Sequence, residues 1–242
     1  MSVTERPLGR LEPTDDKHLQ LYPLTAETVP APPTPVVIGV NWYTGFDKPV
    51  QDANGRYWIG RGTDWGRVRG GHAVCLKPTG VTDVREWWRF YDQGKEGACV
   101  GFACSRMMSL LNRVRLDAPW LYYEARKVDD WPGENYSGTS VRAALDVLRA
   151  RGHRRPGATV DDAAQGIVEF RWAASGDQIL ACLLGPATTG QSTHERLQAF
   201  PVANSWGDDY PRTVWLPFAA MRRLLDEQGD AAVVTDRVGV AP

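Results

Sequence analysis

The sequence predicts an α+β protein with two lobes. Helix-spaced apolar segments fill its middle, and runs of β-branched and aromatic residues lie toward both ends. With 242 residues, a hydrophobic fraction of 43% and ten tryptophans, the chain is long and apolar enough for a substantial core. The expected division is an extended arm over 1–35, a mainly β lobe from 36–84 and 160–242, and a mainly helical lobe over 85–159.

The arm ends in Val29-Pro30-Ala31-Pro32-Pro33-Thr34-Pro35, a proline density that favours extended chain laid over a surface. Val36 to Tyr43 (VVIGVNWY) reads as a buried strand. Asp52-Ala53-Asn54-Gly55 is a turn signal leading into a strand over 56–59, and Gly71 to Leu76 forms a third strand, stopped by Lys77-Pro78. From Cys99 to Arg113 the apolar residues keep helical spacing. Pro119 to Val128 predicts another helix, and Ser140 to Arg151 a third. Ser137, Thr139 or Ser140 caps that third helix, and Gly152 ends it. In the second half, helices are expected over 177–184 and 217–226. Strands are expected over 199–203, 214–216 and 231–235.

Bulk chemistry narrows the function. A net charge of −1 and a pI near 6.4 give no global field to recruit nucleic acid or an acidic membrane. The basic cluster Arg151 to Arg155 reads as a solvated helix end, which makes His153 a surface residue. No apolar run reaches the roughly 18 residues of a membrane span, and the N-terminus lacks the apolar core of a secretory signal. The four cysteines have no framework spacing, so free thiols in a reducing, cytoplasmic setting are expected. No metal-site pattern or phosphate loop occurs, and no metal or cofactor is expected.

The chemistry concentrates on Asp92-Gln93-Gly94-Lys95-Glu96-Gly97-Ala98-Cys99. A neutral thiol is a poor nucleophile, and a helix N-terminus together with an adjacent imidazolium favours the thiolate. Cys99 stands where a helix is predicted to begin. Gln93 carries an amide N–H for an oxyanion, and the Cys99 backbone N–H supplies a second donor. The base must be one of four histidines: His18, His72, His153 or His194. An asparagine oxygen can hold such a base in one tautomer without adding charge, and Asn204 is suited to that role, with Trp206 shielding the bond. Cys75, Cys104 and Cys182 read as core, and Trp87 and Trp88 as packing between the lobes.

Taken together, the Gln93-to-Cys99 spacing, the Gly70-Gly71-His72-Ala73-Val74 strand and Asn204-Ser205-Trp206-Gly207 resemble papain-like cysteine peptidases, especially shorter bacterial and phage members. The likeness extends to Leu121-Tyr122-Tyr123-Glu124-Ala125-Arg126 and to Ser137-Gly138-Thr139-Ser140, covering most of 36–235. It implies a papain-like fold of a helical lobe and an antiparallel sheet or barrel lobe. It further implies a Cys99-His72-Asn204 triad, an oxyanion hole from Gln93 and Cys99, and substrate contacts at Gly138, Gly71 and Trp206. A peptide or protein is the implied substrate.

The chain departs from the family in order. Family members run cysteine, histidine, asparagine, whereas here His72 precedes Cys99 and Asn204 follows. A permuted connectivity is therefore expected, because a triad depends on geometry and not on chain order. His194 is the rival base, on the conventional side of the cysteine but without strand character. Val100 replaces the tryptophan that often follows the nucleophile. Glu96 stands where a disulfide cysteine is common, a loss that suits a reducing compartment. Two functions stay open: an active peptidase or amidase, and a papain-like binding or structural protein without turnover. A domain-swapped dimer, with His72 serving another chain's Cys99, also stays open.

Overall fold

A computed structural model describes residues 22–81, 91–129, 137–185 and 192–239. His18, Trp87 and Trp88 lie outside the described residues.

Eight strands form one sheet in the order β2-β3-β7-β6-β4-β1-β8-β5. In chain order these are β1 (Val36–Tyr43), β2 (Val50–Gln51), β3 (Tyr57–Trp58), β4 (Val68–Leu76), β5 (Ile167–Trp172), β6 (Ala199–Ala203), β7 (Val214–Pro217) and β8 (Asp230–Arg237). Neighbours run antiparallel except β3 with β7. Six α-helices accompany them among the described residues: α1 (Cys99–Asn112), α2 (Ala118–Lys127), α3 (Val141–Arg151), α4 (Gly176–Leu184), α5 (Thr193–Leu197) and α6 (Phe218–Asp226).

Strand alternation divides the core into two. Val37, Ala73, Cys75, Ala203, Ala232 and Val234 face α1, α2 and α3. Val36, Ile38, Val40, Val74, Leu76, Val202 and Val233 face α4 and α6 on the other side. Each inner strand is therefore apolar on both faces, which explains why VVIGVNWY reads as an unbroken apolar run. Residue size tunes the helix side: α1 and α2 approach at Gly101, where a Cβ would lie 2.6 Å from the Tyr122 Cβ.

The caps follow local chemistry. Ser140 Oγ accepts the Ala143 N–H at 3.1 Å, so Ser140 is the N-cap of α3 among the three expected candidates, and Gly152 is its C-cap. Of the arm, 22–35 is described and is anchored: the Leu24 N–H donates to the Trp172 carbonyl at 2.8 Å and the Thr34 N–H to the Cys182 carbonyl at 2.7 Å. Three elements were not expected from sequence: β2, β5 and α5. Among the described residues no helix is long and apolar enough to cross a membrane.

Candidate active site

β4 and β6 bring His72 and Asn204 together. These strands pair antiparallel, with Cys75 opposite Ala203, so the chain leaving β6 continues toward the His72 end of β4. Directly opposite residues share a face, and the segment 204–206 runs back alongside 74–72. The His72 Nε2 and the Asn204 Oδ1 are 2.8 Å apart, both buried. The Ser205 N–H donates to that same Oδ1 at 2.7 Å. Because the atom accepts a backbone N–H, it is the amide oxygen, and Nε2 must be the donor. The neutral ring is thus the Nε2–H tautomer, with its lone pair on Nδ1.

Aromatic rings pack against this pair. Trp42 meets His72 edge-on with centroids 4.6 Å apart, and Trp206 lies 5.1 Å from the imidazole at 38°. Both indoles are almost fully buried. Tyr210 packs against Trp206 at 5.1 Å and donates its hydroxyl to the Phe46 carbonyl at 2.9 Å. Trp206, the expected shield of the imidazole–amide bond, is thus in contact with the imidazole. Sequence reading did not single out Trp42 or Tyr210. Trp42 extends the alternating series Val36, Ile38, Val40, which marks its face, but its meeting with His72 depends on the pairing of β1 with β4 across a long connection.

The loop that leads into Cys99 is tied to the loop that carries Asn204. The Gln93 N–H donates to the Ser205 carbonyl at 2.9 Å, and Asp92 and Trp206 form a β-bridge. Gly207 has φ +65°, and a Cβ there would come within 2.8 Å of the Asp92 carboxylate, so glycine suits this crossing on both counts. The Gln93 side-chain amide donates to the Glu96 carbonyl at 2.9 Å, which holds the loop closed and leaves its second N–H for another acceptor. Glu96 in turn accepts the Tyr123 hydroxyl at 2.9 Å, tying this loop to α2.

Cys99 is the first residue of α1, with Ala98 at the N-cap. The Ala98 side chain has no oxygen to accept a first-turn N–H, so the positive end of the helix has no side-chain cap from its N-cap residue beside Cys99. The side chain is 2% exposed and belongs to the core cluster with Ala73 and Cys75 of β4. Gly97 lies against the Ser137 backbone, and Gly138 follows Ser137 as a buried residue, so the segment that carries Gly138 borders the loop that leads into Cys99. Gly71, also buried, directly precedes His72 on β4.

The other cysteines and histidines serve the fold. Burial pushes the Cys75 and Cys182 thiols up to about 12 and Cys104 well above its ordinary value. His194 is buried on α5 and hydrogen-bonds the Lys77 carbonyl through Nε2 at 3.2 Å; a carbonyl only accepts, so Nε2 donates. Lys77 lies five residues beyond His72, roughly 16 Å along an extended chain. His72, not His194, is therefore the histidine against Asn204.

His153 corrects the sequence reading. The expected surface residue is 0% exposed, and burial lowers its pKa to about 3. Its Nδ1 accepts the Arg154 N–H at 2.8 Å and its Nε2 bonds Ser105 Oγ at 2.9 Å. The basic residues flanking it reach outward while a β-bridge to Asp162 holds His153 inward. Among the described residues no group of three or more histidine, cysteine, aspartate or glutamate side chains is placed to hold a metal ion.

No family model and no curated protein sequence matches the chain. A solved structure similar to it is xylellain, a cysteine protease from Xylella fastidiosa, at 14% sequence identity and a TM-score of 0.48. The similarity covers 95% of this chain and 96% of that one.

Proposed function

We propose that the chain is a cysteine peptidase or amidase. Cys99 is its nucleophile, His72 the general base, and Asn204 the residue that orients the base. One observation carries the reading: the His72 Nε2 is held by the Asn204 Oδ1 at 2.8 Å, and the Ser205 N–H fixes the amide so that the ring's lone pair lies on Nδ1. Orienting a histidine by a neutral amide suits a thiol partner, where thiolate and imidazolium already form a charge pair and a carboxylate is not needed.

In this mechanism His72 takes the thiol proton, and the sulfur attacks the substrate carbonyl. The developing oxyanion is met by the second Gln93 amide N–H and the Cys99 backbone N–H. His72 then gives its proton to the departing amine, leaving an acyl-thioester on Cys99 that water hydrolyses. An amine in place of water would give acyl transfer from the same groups. Gly138 and Gly71 border the space where a substrate backbone would lie, and Trp206 keeps water from the orienting bond. No cofactor is required.

The same reading makes the fold papain-like with permuted connectivity. β1 and β4, which precede the nucleophile in sequence, are sheet neighbours of each other, and β4 neighbours the β6 strand that delivers Asn204. His72 and Asn204 meet within one chain, so the base need not come from a partner.

An epoxide probe for activated thiols, read by mass spectrometry, tests the function. Stoichiometric labelling at Cys99 is expected, lost in Cys99→Ala and His72→Ala and kept in His194→Ala. Loss in His194→Ala alone would move the base to His194. A second reading, a binding protein without turnover, is favoured by one observation, the 2% exposure of Cys99. Labelling of Cys99 no faster than that of an ordinary exposed thiol would select it.

A further inference from the structure

We propose that Asp47 is a positioning residue for His72, acting through the Trp42 indole; the inference rests on His72 being the base. The Trp42 Nε1–H donates to Asp47 Oδ1 at 3.1 Å, and both groups are buried. On its other side the Asp47 carboxylate receives Arg69, whose Nη1 lies 2.8 Å from each oxygen. Arg69 reaches it because β4 carries one extra residue there. Trp42 pairs with Gly70 and Tyr43 with Val68, which leaves Arg69 as the bulged position. A bulge re-aims a side chain, and here it brings a guanidinium onto a carboxylate just beyond the strand that carries the indole.

The consequence for His72 is geometric. The hydrogen bond to Asn204 directs its Nε2, and the ring packs in a three-ring cluster with Trp42 at 4.6 Å and Trp206 at 5.1 Å, the two indoles themselves 5.5 Å apart. A wall of apolar rings limits translation but leaves rotation about the ring's own axis to the shape of the wall. Trp42 sets that shape: it meets His72 at 70°, Trp206 at 73° and Phe46 at 89°. Trp42 has one polar side-chain atom, and Asp47 fixes it. The chain Arg69–Asp47–Trp42 thus acts on the imidazole through the Trp42 ring, separately from the Asn204 hydrogen bond. A carboxylate with no contact to the reacting atoms sets the angle at which Nδ1 is presented.

Nitrogen-edited NMR of the imidazole, assigned by its loss in His72→Gln, tests this on the full-length protein. In the wild type the His72 Nε2–H is expected to exchange slowly, with the ring in a single tautomer. Asp47→Ala should speed that exchange by about tenfold or more, the factor that corresponds to one lost hydrogen bond to a charged acceptor. Asp47→Asn keeps an oxygen for the indole N–H and should restore the wild-type rate, whereas the similarly sized but apolar Asp47→Leu should not, which separates the hydrogen bond from packing. Should Asp47→Ala fail to fold, Trp42→Phe leaves the Asp47–Arg69 pair intact and removes the indole donor together with part of the ring against His72, and an acceleration at least as large is expected. Unchanged His72 exchange and shifts in a folded variant overturn the proposal. Cys99 labelling is read separately: its absence in the wild type would sink the catalytic reading, while the response of His72 to Asp47→Ala would still decide the positioning.

Discussion

Two buried histidines of this protein show how differently one side chain can be used. At His153 the fold occupies both ring nitrogens, one by the Arg154 N–H and the other by Ser105, and Trp120 stacks beside the ring at 5.2 Å. Accepting a backbone N–H at Nδ1 commits that lone pair and makes Nε2–H the donor to Ser105, so the ring joins α1 to the end of α3 as a neutral structural link. At His72 the hydrogen bond from Nε2 runs to a side-chain amide, and the walls are two indoles. That orientation leaves the lone pair at Nδ1 as the ring's chemical end. Burial does not separate the two sites; the groups that hold the nitrogens do.

Replacing each histidine should break the comparison most visibly. His72→Gln is expected to slow thiol-specific labelling of Cys99 by about a hundredfold or more, the lower range of general acid–base contributions. His153→Gln should leave labelling of the folded protein unchanged and lower its thermal midpoint. Labelling rates measured on both variants would invert the assignment if His153→Gln had the larger effect.

Acid titration gives the next largest effect. The folded pKa of His153 is about 3, below the ordinary 6.5, so between those values the unfolded chain binds more protons than the folded one. Stability from this group is therefore complete above pH 6.5 and falls as pH drops toward 3, by at most about 1.4 kcal/mol per pH unit. His194, also lowered by burial, acts in the same direction. Asp230 acts oppositely. Its carboxylate packs against Gly39, accepts the Gly39 N–H at 2.9 Å, and burial raises it to about 7. Here the folded state binds more protons between pH 3.8 and 7, so this group's contribution is lost as pH rises. Denaturant midpoints across pH should show a shallower acid loss in His153→Leu and a steeper one in Asp230→Asn. The same pH dependence in all three proteins would contradict both assignments.

Smaller effects sharpen the contrast. Ser105→Ala strands the His153 Nε2–H in the core and should cost about 1–3 kcal/mol of unfolding free energy with no change in Cys99 labelling. Ser140→Ala removes the α3 N-cap and should cost about 1 kcal/mol, again without effect on labelling.

Much of the fold was legible because its inner strands and long helices carry strong periodicity. β1 and α1 begin at the expected residues, and α2, α3, α4 and α6 fall within one or two residues of the expected bounds. β5 escaped because bulges between Ile167 and Phe170 break its alternation, leaving Val168 exposed and Glu169 half-buried in succession. α5 was readable in principle. Ser192 and Glu195 form a capping box, a signature present in the sequence, but five residues give too short a period to recognise. His153 escaped because its three arginine neighbours, Arg151, Arg154 and Arg155, resemble a solvated helix end, and only tertiary contact with Ser105 reveals its burial. At the candidate site, Gln93, Cys99, His72 and Asn204 were legible as residue types with particular neighbours. Asp47, Arg69 and Trp42 were not, since their meeting depends on a one-residue bulge that no local pattern announces.

The pH dependence of Cys99 alkylation, compared between the wild type and His72→Gln, tests the central claim most directly. If His72 activates the thiol, the wild-type rate should persist well below neutral pH, and His72→Gln should convert it to a single titration near roughly 8.5, the ordinary thiol value. A wild-type profile that already follows one titration at about that ordinary value, unchanged in His72→Gln, would show that the histidine and the thiol do not act together.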